Sequence, residues 1–168
     1  MIKSFQGKTP QVAASAFVSE IACIIGNVEI GENSNIWPGA VIRGDNARIK
    51  IGRNTSIQDN CVIHADQELT IGDNVIIGHG AIIHCRRIGS NVLIGVNAIF
   101  LDGAEVGDYC VIGAGSLIAQ GKKLPDRSLA FGAPAQIKGE PSPEQLASIE
   151  DGVKVYVELA REHKQQGL

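Results

Sequence analysis

Aliphatic residues recur at every sixth position along most of this chain. Val12, Val18, Ile24, Ile30, Ile36 and Ile42 open the series; Ile51, Ile57 and Ile63 follow, then Ile71, Ile77 and Ile83, and a last run extends from Ile88 to Leu124. Glycine often follows directly, as in Ile30-Gly31, Ile77-Gly78 and Ile112-Gly113, and a small residue comes four positions after the aliphatic, as at Ala40, Cys61, Ala81 and Ala98. A period of six matches neither the α-helix nor the heptad. It matches short β-strands, each closed by a turn, with every aliphatic pointing into a common prism. Three such hexads make one coil, and stacked coils cover one another's apolar edges as a parallel β-helix. Nineteen aliphatic positions, three to a coil, predict about six coils.

The rhythm breaks three times. Three residues are inserted between Ile42 and Ile51, within Arg43-Gly44-Asp45-Asn46-Ala47-Arg48; two are inserted between Ile63 and Ile71, and one is missing between Ile83 and Ile88. Bulged corners of this kind carry function without disturbing the packed prism. After Leu124 the segments Pro125-Asp126-Arg127-Ser128 and Phe131-Gly132-Ala133-Pro134-Ala135 are expected to leave the prism. Ser142-Pro143-Glu144-Gln145 then reads as an N-cap, a first-turn proline and a capping-box glutamine. Leu146, Ile149, Val153, Tyr156 and Ala160 recur at three to four residues, an amphipathic helix to about residue 163 that should lie along the β-helix. The expected division is a β-helix over residues 1–140 and a C-terminal helix over 141–168.

Composition narrows the choices. Twenty glycines and only 4 % aromatics among 168 residues suit narrow, repetitive packing. A net charge of −3 leaves no electrostatic footprint for nucleic acid or an anionic membrane. The four cysteines form no CxxC pair; Cys61 and Cys110 fill small-residue slots of the repeat, whereas Cys23 and Cys85 have no such slot, and Cys85 reads as a bystander thiol near the histidines. The N-terminal residues lack an apolar leader-like run, so a reducing, cytoplasmic setting is expected.

The hexads resemble those of the hexapeptide-repeat family over roughly Val12 to Leu124, and that resemblance implies a left-handed parallel β-helix in the all-β class. Placed on such a prism, His64 and His84 each follow an aliphatic exactly one coil apart in the count of hexads, and Arg43 takes the same position one coil earlier. The three should form one column at strand spacing, about 4.8 Å per step. His79 lies one strand away, roughly 15 Å off by strand rise, with Gln58 one coil below its corner. Zinc–nitrogen bonds are about 2 Å, so one chain cannot gather all three imidazoles, but a neighbouring copy in a three-fold arrangement can. Stacked imidazolium groups would repel, which favours neutral rings organised by a metal ion.

Arg43-Gly-Asp45, Gln58-Asp59-Asn60, His64 and Gly78-His79-Gly-Ala-Ile-Ile-His84 together resemble the γ-class carbonic anhydrases and their bacterial homologues along nearly the whole chain. The resemblance implies a homotrimer in which His64 and His84 of one subunit and His79 of the next hold Zn2+ or Fe2+ for the hydration of carbon dioxide to bicarbonate. It implies a subunit-bridging Arg43–Asp45 pair, a Gln58 that hydrogen-bonds solvent at the metal, and an active-site role for Tyr156. Three neutral imidazoles leave a tetrahedral ion one open position, which suits catalysis, and Asp59 is placed to orient a histidine. Two positions depart from the archetypal members: Asn46 and Gln67 stand where those carry proton-shuttling glutamates, with Asp66 and Glu68 nearby. Imidazole suits zinc and iron(II) alike. Hexapeptide-repeat acyltransferases, a CoA-thioester hydrolase using the same site, and a non-catalytic trimeric scaffold are the competing classes.

Overall fold

The computed structural model describes residues 1–167. It is a parallel β-helix of about seven turns, closed along one side by a single helix, α1 (Pro143–Gln166). Each hexad aliphatic from Ile24 to Leu124 is at most 4 % exposed, and together they form one continuous core. The register is that of the repeat: Ile42 pairs with Ile63, Ile63 with Ile83, and Ile83 with Phe100. One turn more is present than the repeat count predicts. Ile2 pairs with Ile24, ahead of the series, and Ala130 pairs with Ile112, behind it. Contrary to expectation, then, the chain stays in the prism after Leu124 for one further strand, Leu129–Gly132, and only then turns back through Ala135–Gly139 as an antiparallel hairpin. Ala130 is too small to be read as a core position from hydrophobicity, yet it is fully buried.

The residue before each core aliphatic points outward and decides the fate of its face. One face shows Glu29, Lys50, Thr70, Arg87, Glu105 and Lys123, bound by cross-rung pairs such as Lys123–Glu105 at 3.2 Å, and is suited to water. A second shows Phe17, Ile76, Leu93, Val111 and Leu129, and α1 covers it through Ile149, Val153 and Ala160. Ser142 caps that helix with the expected reciprocal bonds to Gln145, and Trp37, Tyr156 and His163 pack edge-on to pin its far end. The third face shows Cys23, Val41, Val62, Ile82, Ile99 and Leu117. Val62, Ile82 and Ile99 are 37–42 % exposed, an apolar column left open among the described residues of the single chain.

Turns sit in left-handed backbone. At one corner Asn33, Asn54, Asn74 and Asn91 all have positive φ, and each amide donates to the next along the stack at 3.0–3.2 Å. At a second corner Gly39, Asn60, Gly80, Asn97 and Gly115 do the same job. The third corner loses this regularity over its middle coils. Strands Cys23–Ile30 and Val41–Ile51 run straight through it, and all three breaks of the repeat fall there.

Candidate metal centre

The irregular corner carries the first half of the site. Arg43 lies in register with His64, and the His64 and His84 rings stack with centroids 5.4 Å apart, one coil to the next as the repeat demands. The Arg-Gly-Asp bulge folds Asp45 back over this column: its Oδ2 takes Arg43 Nη1 at 2.5 Å and its Oδ1 meets His64 Nε2 at 3.0 Å. Burial pushes the Asp45 carboxyl up, but hydrogen bonds from Arg43 and His64 and the guanidinium charge outweigh it and hold the group below its ordinary range. The inserted loop after His64 brings in Asp66, whose Oδ1 accepts from Asn46 Nδ2 at 2.8 Å and whose Oδ2 is 3.7 Å from His84 Nε2. His64, Asp66 and His84 present ligand atoms all within 4.8 Å of one another.

The second half lies at the opposite edge of the same apolar face. Gln58 is buried, and its Oε1 accepts from the His79 backbone N–H at 3.1 Å, which fixes the amide and leaves Nε2 as its donor. His79 Nδ1 meets Asp59 Oδ2 at 2.8 Å, so the ring is held through Nδ1 and Nε2 is the nitrogen left for a metal. Half of the His79 side chain is exposed. Tyr156 reaches this edge from α1, packed against Trp37; burial and then the Asp59 charge raise its phenol above the ordinary range. His79 is not part of the cluster around His64, so the three histidines are not assembled within one chain.

Two details were not in the sequence reading. The Asp45–His64 contact depends on how the bulge folds, and Asp66 entered only as a stand-in for a missing glutamate. Cys85 is the expected bystander: it is 1 % exposed within the prism core, burial lifts its thiol to about 12, and it is a packing residue outside the cluster of His64, Asp66 and His84.

Chemically, two imidazoles and a carboxylate at one edge and an oriented imidazole at the other are borderline donors that suit zinc or iron(II). Ligands on a tetrahedral ion with bonds near 2.05 Å lie about 3.3 Å apart, so the His64/His84 edge needs only modest side-chain closure. The donor set fits a metal ion.

Prism and histidine edge together define a hexapeptide-repeat protein with a candidate metal centre. A family model for the bacterial transferase hexapeptide (six repeats) matches residues 87–120. A carbonic anhydrase of Geobacillus kaustophilus is 43 % identical over 166 residues, covering 98 % of this chain and 91 % of that protein. Mitochondrial gamma carbonic anhydrase 2 of Arabidopsis thaliana is 36 % identical over 93 % of this chain, which spans only 59 % of the plant protein. A Bacillus cereus crystal structure solved as a candidate acetyltransferase superposes with a TM-score of 0.95, at 41 % identity over 98 % of this chain and 97 % of that one. The chain belongs to the γ-carbonic anhydrase family of hexapeptide-repeat proteins.

Proposed function

We propose that this protein catalyses the reversible hydration of carbon dioxide to bicarbonate at metal centres shared between copies of a homotrimer. The observation that carries the proposal is the split of the site across one apolar face. His79 stands at one edge, His64 and His84 at the other, with exposed Val62, Ile82 and Ile99 between them. An apolar column of this kind marks an interaction surface. Packing three such faces in a ring sets each His79 edge against the next copy's His64/His84 edge, a heterologous contact that closes.

His64 and His84 of one copy and His79 of the next would hold the ion. A zinc or iron(II) ion there supplies Lewis acidity and brings the pKa of a coordinated water toward neutrality. The protein groups do the rest. Asp59 fixes the tautomer and orientation of His79 through Nδ1. Gln58 offers its amide Nε2–H2 beside His79, where it can orient the attacking oxygen toward carbon dioxide. Arg43 holds Asp45 in place over His64, and Tyr156 closes the apolar flank of the Gln58 edge. Hydration releases a proton, and neither Asn46 nor Gln67 can relay it, so turnover should draw on buffer. Stopped-flow hydration of carbon dioxide by zinc- and iron(II)-loaded protein tests the proposal: activity that rises with buffer concentration and disappears in His64→Ala supports it. A metal-loaded protein that hydrates no carbon dioxide but cleaves or transfers an acyl thioester supports the acyltransferase or thioesterase reading.

A further inference from the structure

We propose that Asp66 is a metal ligand: with His64 and His84 it lets a single chain capture the divalent ion before a neighbouring copy contributes His79. This rests on the metal reading above and adds to it the order of events. A site divided between chains otherwise offers the ion only two nitrogens until assembly is complete.

The geometry around Asp66 is that of a ligand held ready. Asn46 ties down Oδ1 at 2.8 Å, which leaves Oδ2 without a partner at hydrogen-bond distance among the described residues. Oδ2 is 3.7 Å from His84 Nε2, too far for a hydrogen bond and close to the roughly 3.3 Å that separates two ligands of one tetrahedral ion. The other carboxylates of this corner are committed. Asp45 is paired with the Arg43 guanidinium, and Glu68 faces Arg48, which also grips Glu29 with two bonds. Asp66 is therefore the carboxylate free to join the stacked rings, and all three ligand atoms already lie within 4.8 Å of one another. Its side chain is 60 % exposed, so a small rotation can close the remaining gap. Two imidazoles and one carboxylate are a donor set that zinc and iron(II) both accept. The two-residue insertion between Ile63 and Ile71 makes this possible, because a regular hexad would turn the chain away from the histidine column.

Cobalt(II) titration of the full chain, followed by its visible absorption and by dissociation constant, tests this without recourse to activity. Wild type is expected to bind tightly. His79→Ala is expected to bind one ion per chain at least tenfold more weakly, and His79→Ala/Asp66→Asn at least tenfold more weakly again, with a changed spectrum. Both altered side chains are exposed, and circular dichroism checks that the fold is kept. Equal affinity in His79→Ala with and without Asp66→Asn overturns the proposal, as does a His79→Ala that takes up no cobalt while wild type loads. Wild type that takes up no cobalt overturns the metal reading itself and this inference with it.

Discussion

Replacing Gly78 by alanine should destabilise the fold and loosen His79, for a reason set by coil stacking. Gly78 has ordinary backbone angles, so glycine is not there for a left-handed turn. A Cβ at this position would stand 2.8 Å from Val96 N, 2.9 Å from Ile94 O and 3.0 Å from Gly95 C, all backbone atoms of the next coil. That coil cannot retreat, because Gly78 N–H donates to Ile94 O at 2.8 Å and Gly95 N–H donates onward to Ile112 O at 2.8 Å. Overpacking against fixed backbone costs about 1–3 kcal/mol. Loss of glycine's freedom in the unfolded chain returns about 0.4–1 kcal/mol. The net is about 1–2 kcal/mol, and at 2–4 °C per kcal/mol for a chain of this size the Tm should fall by roughly 2–8 °C. Gly121→Ala is the contrast: it has φ +66° and no atom within 4 Å, so it carries only the left-handed strain of about 1–2 kcal/mol and leaves the site untouched. Thermal unfolding followed by circular dichroism reads the Tm, and metal affinity reads the displacement of the adjacent His79. A Gly78→Ala protein with unchanged Tm and unchanged metal affinity would refute the stacking argument.

Three other outcomes follow from the same structure. Ile82→Asp places a charge in the exposed apolar column but outside the prism core, so the protein should stay folded while its mass in light scattering drops below that of wild type; an unchanged mass would sink the assembly surface. Glu29 is held below the ordinary glutamate range by its hydrogen bonds to Arg48, against burial and with the help of the Arg48 and Lys50 charges. Its stabilisation, under about 1 kcal/mol for a partly exposed pair, is complete above about pH 4.3 and is lost as pH falls through the lower folded value. The Tm gap between wild type and Glu29→Gln should therefore be constant near neutrality and close in acid; a gap that widens in acid contradicts the sign. Burial pushes the thiols of Cys61 and Cys85 up to about 11 and about 12 and raises that of Cys110, so a disulfide reagent at pH 8 should label at most one of the four cysteines in the native protein and all four in denaturant. Rapid native labelling of two or more would contradict the burial.

Where each residue's environment is repeated, the chain announces its own structure. Every hexad position from Ile24 to Leu124 is readable because the coil above imposes the same demand as the coil below. Legibility stops where the repeat does. Ile2 extends the prism by pairing with Ile24 with no hexad leading to it, and Ala130, although six residues after Leu124, is too small to register as an aliphatic, so the seventh turn escapes a count of aliphatic positions. The histidine column was legible for the same reason as the core, since His64 and His84 inherit the register of Ile63 and Ile83. Asp45 and Asp66 were not, because an inserted loop has no template and its path is set by local bonds such as Arg43–Asp45 and Asn46–Asp66. Cys85 lies just past the histidine column, as Ala65 does one coil earlier, and both are buried in the core at a position that no small-residue slot of the repeat marks.

The shared site is tested most directly by mixing two defective proteins. His64→Ala lacks a ligand on one edge and His79→Ala lacks one on the other, and each alone should hydrate carbon dioxide no faster than background. After the two are unfolded and refolded together with zinc or iron(II), random assembly of a three-fold ring should restore about a quarter of the sites, each built from His64 and His84 of one copy and His79 of another. Recovery of hydration near that fraction is the predicted result. Activity that stays at background, with mixed oligomers demonstrated by native mass spectrometry, would contradict a site divided between copies.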